Sequence, residues 1–103
     1  MRLAVVDYGA GNLASVFKAL HAVAPDASLT RATAPRDVAD ADALIVPGVG
    51  HFHATAALDA SWRSAIRTRV DAGIPLLGIC LGMQWLFEGS DEAPNLPGLG
   101  VFP

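Results

Sequence analysis

The sequence has little charge and almost no cysteine. Of its 103 residues, 7 are Lys or Arg and 10 are Asp or Glu, which gives a formal net charge of -3. This balance provides no basic surface of the kind that binds nucleic acid. The single cysteine, Cys80, excludes a disulfide framework within the chain and any metal site built from several cysteines. We expect no metal ion and no cofactor.

Long apolar runs are also missing. No run approaches the roughly 18 residues of a membrane span, and the N-terminal segment becomes acidic at Asp7, before a signal-peptide core could form. We therefore expect a cytoplasmic protein without a membrane segment. Yet 52% of the residues are hydrophobic, which excludes a disordered chain and is high for a small domain with a polar surface. This excess predicts that the chain is part of a larger fold or covers an apolar face with a partner.

Short apolar runs alternate with amphipathic segments along the chain. We predict strands over residues 3–6, 28–31, 43–46 and 75–79. Helices are expected after Asn12, from about residue 54 to a C-cap at Gly73, and from Leu81, with a short helix or turn over residues 35–41. Arginines 63, 67 and 69 are expected on the solvent side of the second helix. This alternation indicates a parallel sheet with helices on both faces, an α/β fold of the flavodoxin-like kind.

In such folds the functional site lies at the carboxyl ends of the strands. The first loop there, residues 7–12, contains Gly9 and Gly11 in a pattern that formally matches a dinucleotide-binding turn. However, Arg31 stands at the end of the second strand, where that motif needs an acidic residue. The alternative is a tight turn in which the glycines adopt positive φ.

The second loop, residues 47–53, has two glycines within three residues after a strand. Such a loop can be a simple turn, or it can direct backbone N–H groups into a cleft as an oxyanion hole does. His51 and His53 follow it, and His21 lies on the first helix. We expect none of these histidines to be a catalytic base, because no carboxylate is evident that would orient His51 or His53.

The third loop carries the most specific signal. Residues 78–82 read G-x-C-x-G at a strand-to-helix junction, the cysteine version of a nucleophile elbow. On such a turn Cys80 stands clear of the sheet, and its neighbours at Gly78 and Gly82 must be small to avoid collisions. The N-terminus of the following helix favours a thiolate. The alternative is a buried structural cysteine.

Together, the segments D-Y-G-A-G-N-L (7–13), P-G-V-G-H-F (47–52) and G-I-C-L-G-M-Q (78–84) resemble class I, triad-type glutamine amidotransferases, and specifically the glutaminase of imidazole glycerol phosphate synthase. The resemblance covers the whole chain. It implies a glutamyl thioester on the nucleophile and delivery of ammonia to a (β/α)8-barrel cyclase subunit in histidine biosynthesis.

The resemblance assigns roles to individual residues. Cys80 matches the nucleophile. Val49 and Leu81 match the backbone donors of the oxyanion hole. The remaining matches are three glutamine-binding positions and one position on the side facing the cyclase: Gly48, Gly50, Gln84 and Asn12.

The resemblance also implies an incomplete site. The family domain is about twice this length and carries its catalytic His and Glu in the C-terminal half. Residues 1–103 are therefore expected to be the N-terminal half of one truncated domain, with residues 99–103 starting a new strand. The rival hypothesis is a flavodoxin-like module that binds a phosphate or nucleotide at the glycine loop and uses Cys80 as a redox-sensing thiol.

Overall fold

A four-stranded parallel sheet forms the centre of the computed structural model, which describes residues 1–103. The strands are β1 (Arg2–Val6), β2 (Ser28–Ala32), β3 (Ala43–Val46) and β4 (Leu76–Gly78), in the spatial order β2-β1-β3-β4. The helices are α1 (Leu13–Val23), α2 (Ala60–Asp71) and α3 (Leu81–Trp85), with short 3₁₀ helices over Pro35–Val38 and Phe52–Ala57. The predicted α/β fold class is confirmed. The order of β1 and β3 places a topological switch point between them, where sites form in open α/β sheets.

Alternation along the strands divides the apolar residues between two faces. Val6 and Val46 point to the face that packs on Trp62 of α2 and on Trp85, and these residues belong to one continuous core. The intervening residues point to the opposite face, on which α1 lies. Helices therefore flank both faces, as the alternating pattern predicted.

The second long helix begins later than predicted. Residues 52–57 form a 3₁₀ helix, and α2 starts only at Ala60. Asp59 determines this start, because its carboxylate accepts hydrogen bonds from the backbone N–H groups of Ser61 and Trp62 at 3.0 and 3.1 Å. The Ser61 side chain also donates to Asp59, and these hydrogen bonds hold the pKa of that carboxyl below its usual range.

The arginines of α2 correct a further prediction. Arg67 is exposed and pairs with Asp71 at 3.3 Å, but Arg63 and Arg69 are half-buried. Arg69 extends to the backbone carbonyl of Ala41, and its Nε is buried without a partner. Arg63 and Arg69 are therefore partly covered by the fold, and the exposed Arg67 also donates to the carbonyls of Leu99 and Gly100.

Residues 99–103 do not form the predicted strand. The segment folds back on α3: the Leu99 N–H donates to the Trp85 carbonyl at 2.7 Å, and the Gly98 N–H donates to the Glu88 carbonyl at 2.8 Å. A single parallel bridge joins Phe87 and Phe102, whose rings lie 5.5 Å apart. None of the helices is both long and apolar enough to cross a lipid bilayer.

Candidate active site

The three loops predicted to form the site are in contact with one another. The Tyr8 hydroxyl, from the loop after β1, donates to the Pro47 carbonyl at 2.6 Å. The Leu81 N–H, after β4, donates to the Gly48 carbonyl at 3.2 Å. A Cβ built on Gly11 would lie 3.2 Å from the Gly48 nitrogen, so these two backbones also meet closely. The carboxyl edge of the sheet thus brings together the loops that follow β1, β3 and β4.

Cys80 occupies a backbone conformation that side chains other than glycine rarely adopt. Its φ is 52° and its ψ is -114°, and it is the only non-glycine residue with a positive φ. It lies directly before α3, and its thiol is free and exposed. The alternative hypothesis, that Cys80 is a buried structural cysteine, is therefore wrong. Strain held at a chemically reactive residue is typical of functional sites.

The glycines on either side of Cys80 leave no room for a side chain. A Cβ on Gly78 would lie 2.7 Å from the Cα of Met83, and one on Gly82 would overlap the carbonyl oxygen of Val46. Both obstacles are backbone atoms, which cannot rotate away as a side chain could. This packing supplies the physical reason for the G-x-C-x-G spacing.

Tyr8 is a site residue that the sequence analysis missed. The residue is only 9% exposed, and its hydroxyl occupies the place that a Cβ on Gly48 would need. Burial raises the pKa of Tyr8 to about 12, so the phenol stays protonated and remains a donor to Pro47. An aromatic residue two positions after a strand and directly before a glycine turn is the signal in the sequence.

The two backbone N–H groups predicted to form the oxyanion hole differ in their hydrogen bonding. The Leu81 N–H is engaged by the Gly48 carbonyl, whereas the Val49 N–H makes no hydrogen bond and its residue is 60% exposed. Leu81 can therefore serve an oxyanion only after its bond to Gly48 opens. The structure places both residues at this edge of the sheet and shows one donor free.

The other residues with implied roles surround the same edge. Gly48 is buried, whereas Gly50 is exposed with a φ of 98°. Gln84 is exposed in the first turn of α3. Asn12 is exposed and caps α1, its side-chain oxygen accepting from the Ser15 N–H at 3.2 Å.

One of the three histidines, His51, lies near a carboxylate that the sequence did not predict. His51 does face a carboxylate, because its Nε2 lies 4.0 Å from Glu92. Its Nδ1, however, accepts a hydrogen bond from the His53 N–H at 3.0 Å, so this nitrogen is not available as a base. His21 lies in the last turn of α1, about 12 Å along the helix from its start.

The glycine loop does not carry the features of a dinucleotide site. Gly9 and Gly11 have φ of 85° and 93°, as a tight turn requires. Arg31 pairs with Asp7 at 3.4 Å and lies over the Phe17 ring at 5.8 Å, so its charge is already partnered. A tight turn is therefore sufficient to explain why glycines occupy positions 9 and 11, and no bound phosphate is needed. No three His, Cys, Asp or Glu side chains meet in a way that could hold a metal ion.

Comparison with known proteins decides the family. Residues 4–92 match the family model "Glutamine amidotransferase class-I". The chain belongs to the class-I glutamine amidotransferases. A solved structure, "Crystal structure of glutamine amidotransferase", overlays on 95% of this amidotransferase chain with a TM-score of 0.74 and 27% sequence identity.

Curated relatives show which amidotransferases this chain is similar to. "Imidazole glycerol phosphate synthase subunit HisH" of Thermus thermophilus is 43% identical over 105 residues, covering 100% of the amidotransferase chain and 52% of the relative. The protein of the same name from Thermococcus kodakarensis is 47% identical over 100 residues, covering 97% and 48%. "Imidazole glycerol phosphate synthase hisHF" of Emericella nidulans is 43% identical over 101 residues, covering 96% of the chain and 18% of the relative. The chain thus spans about half the length of the HisH relatives that it matches.

Proposed function

We propose that this chain is the nucleophile-bearing half of the glutaminase subunit of imidazole glycerol phosphate synthase. The observation that carries the proposal is the conformation of Cys80. A free, exposed thiol stands on a strained strand-to-helix turn between two glycines whose Cα atoms face backbone. The likeness to HisH subunits at 43–48% identity supports this choice among amidotransferases.

The proposed chemistry begins at Cys80. Its thiolate attacks the carbonyl carbon of the glutamine side chain, and the carbonyl oxygen gains negative charge. The departing amide nitrogen takes a proton as the carbon–nitrogen bond breaks, so that ammonia leaves and a glutamyl thioester remains on the sulfur. Water hydrolyses the thioester, which releases glutamate and restores the thiol. A general acid and base must move these protons, and the Nδ1 of His51 cannot accept one while it holds the His53 N–H.

The backbone around Cys80 supplies the oxyanion donors in this proposal. The free Val49 N–H and the Leu81 N–H would both donate to the oxyanion. Because Leu81 now donates to Gly48, the Gly48 carbonyl must turn away when glutamine binds. Gly48, Gly50 and Gln84 would contact the glutamine.

The ammonia acceptor in this proposal is a (β/α)8-barrel cyclase subunit. The names of the relatives support a two-part enzyme, because HisH is called a subunit and one relative is named hisHF. We place the contact with the cyclase at the loop that contains Asn12, whose exposed position leaves it accessible. The proposed location is the cytoplasm, where biosynthetic enzymes of this type act.

A covalent label tests the glutaminase assignment. Residues 1–103 are combined with the second half of the Thermus thermophilus relative and treated with a diazoketone analogue of glutamine. We expect a mass increase of one label on Cys80, prevented by excess glutamine but not by asparagine. The Cys80→Ala variant is the matched control. Labelling that asparagine prevents as well as glutamine, or that persists in Cys80→Ala, would contradict the assignment.

A further inference from the structure

A pocket of about 290 Å³ lies between the 3₁₀ helix Pro35–Val38 and α2, on the face of the sheet opposite α1. The Arg69 side chain, near the end of α2, extends to the carbonyl of Ala41, two residues before β3 begins. The pocket therefore lies toward the amino ends of the strands. Cys80 stands at the opposite edge of the sheet, so this pocket is separate from the candidate active site.

Two guanidinium groups line this pocket together with side chains that carry no charge. We call it the two-arginine pocket and define it by its lining residues: Pro35, Arg36, Val38, Ala39, Ala65, Thr68 and Arg69. No acidic residue belongs to this lining. A concave site with mostly apolar walls and a few charged donors is typical of pockets that bind small molecules. The lining suits a ligand that has an anionic group and an apolar part.

The two arginines of the pocket have no acidic partner within the chain. Three of the seven cationic side chains do pair with carboxylates within 4.0 Å: Arg2, Arg31 and Arg67. The Arg36 side chain, in contrast, is exposed and makes neither an ion pair nor a hydrogen bond, and the Arg69 side chain donates only to the Ala41 carbonyl. Two unbalanced positive charges thus share one pocket in a chain whose net charge is -3.

The carboxylates nearest to Arg36 in the sequence are engaged elsewhere. The Asp37 carboxylate accepts a hydrogen bond from the backbone N–H of Thr33 at 3.0 Å. The Asp40 carboxylate faces Arg2 at 4.0 Å. Neither aspartate lines the two-arginine pocket, so the protein itself does not supply the counter-charge.

Arg69 carries a second sign that a partner belongs here. The Nε of its guanidinium group is buried and makes no hydrogen bond. Buried donors without a partner are uncommon in folded proteins, and a bound ion is one of the explanations for them. Because an anion beside the guanidinium group offsets the electrostatic cost of covering a positive charge, a ligand in the pocket would stabilise this arrangement.

We propose that the two-arginine pocket binds a small phosphate monoester. Its phosphate group contacts the guanidinium groups of Arg36 and Arg69, and its organic part lies against the apolar lining. A phosphate monoester carries about -1.5 to -2 charges at pH 7, which matches two guanidinium groups, whereas a carboxylate carries a single charge. Guanidinium groups also bind phosphate oxygens through pairs of N–H donors. The site does not depend on the proposed function.

An NMR titration of the chain with phenyl phosphate tests this site. Amide signals locate the ligand and give its dissociation constant at an ionic strength of about 0.1 M, where distant charges are largely screened. Inorganic phosphate and benzoate are the comparison ligands. Arg36→Gln removes one charge from a side chain that makes no hydrogen bond in the fold. Arg63→Gln is the matched control, because Arg63 also has no acidic partner and lies on α2 outside the pocket.

We expect phenyl phosphate to shift the amide signals of residues 35–39 and 65–69. The affinity should fall about tenfold or more in Arg36→Gln, which loses a charge-assisted contact. In Arg63→Gln it should change less than about twofold, because that charge is screened. Arg69→Gln should weaken binding as Arg36→Gln does, and its own spectrum reports whether the fold is intact. Inorganic phosphate and benzoate should bind more weakly, since one lacks the apolar part and the other the second charge.

Three results would overturn the proposal. The first is the absence of shifts at residues 35–39 and 65–69. The second is equal weakening in Arg36→Gln and Arg63→Gln, which would show only a general attraction between the chain and anions. The third is benzoate binding as tightly as phenyl phosphate, which would contradict the assignment to a phosphate. None of these results bears on the labelling of Cys80 by a glutamine analogue.

Discussion

The Tyr8 hydroxyl donates a 2.6 Å hydrogen bond to the Pro47 carbonyl and joins the loop after β1 to the loop after β3. Tyr8 is buried, and its oxygen occupies the place of a side chain on Gly48. The bond therefore fixes both the position of the second loop and the residue type that follows Pro47. It connects the first two loops of the site, and the Leu81–Gly48 bond connects the second to the third.

Removal of that hydroxyl is expected to lower stability. In Tyr8→Phe the buried Pro47 carbonyl loses its donor, which costs about 1–3 kcal/mol in the free energy of unfolding. Urea denaturation of wild type and variant at neutral pH measures the difference. A variant as stable as wild type would show that water or another donor replaces the phenol.

The same tyrosine gives a titration that can be followed directly. Tyr8 is the only tyrosine of the chain, and its pKa is raised from 10.0 to about 12. Its contribution to stability is complete below pH 10 and is lost as the pH rises through about 12. We expect phenolate absorbance to appear near pH 12 in the folded protein and near pH 10 in urea. The stability advantage of wild type over Tyr8→Phe should shrink over that interval.

Alanine at either glycine of the elbow is expected to destabilise the fold. Gly78→Ala would bring a methyl group to 2.7 Å from the Cα of Met83, and Gly82→Ala would overlap the Val46 carbonyl. Forced overpacking of this kind costs about 3 kcal/mol. Gly89→Ala is the matched control, since its nearest atom would be the Leu96 carbonyl oxygen at 3.5 Å. Thermal unfolding of the three variants should separate the first two from the third.

The strain at Cys80 predicts an uncommon ranking of variants. Cys80→Ala keeps a Cβ at a φ of 52°, whereas Cys80→Gly relieves it. A side chain held in a sparsely populated backbone conformation costs about 1–3 kcal/mol of folding free energy. Glycine avoids this cost but lowers stability by about 0.5–1 kcal/mol, because its unfolded chain has more conformational entropy. Cys80→Gly should therefore be about 1 kcal/mol more stable than Cys80→Ala. Chemical denaturation of the two variants checks the order, and a more stable Cys80→Ala would remove the evidence for strain.

Residues 1–103 alone are expected to be chemically reactive but not catalytic. Exposed Cys80 should be alkylated slowly by iodoacetamide. Glutamine hydrolysis also needs a base, and loss of a triad base lowers turnover on the order of 10⁴–10⁶-fold. Ammonia release by residues 1–103 should therefore equal that of Cys80→Ala. Activity that disappears in Cys80→Ala would show that a base is present, and His51→Ala and His53→Ala would then identify it.

The sequence by itself determined the order of elements, the parallel sheet and the position of Cys80, because these follow from local patterns. Apolar runs define strands, Asn12 caps its helix through its own side chain, and only glycine tolerates the turns around residues 9–11. The ends of the elements follow less directly from the pattern: α2 begins at Ala60 because the side chain of Asp59, its N-cap, accepts hydrogen bonds from two backbone N–H groups. The elbow spacing likewise predicts Cys80 as the candidate nucleophile.

Only the tertiary structure decided how the loops meet and which donors are free. Tyr8 and Pro47 are 39 residues apart, so no local pattern could show that they bond. The engagement of Leu81 by Gly48 and the placement of Glu92 beside His51 depend in the same way on packing between distant segments. The exposure of Leu77 depends on packing in the same way. The apolar sequence pattern of β4 is the same whether or not another layer covers the strand. Only the folded sheet shows that the side chain of Leu77 is exposed.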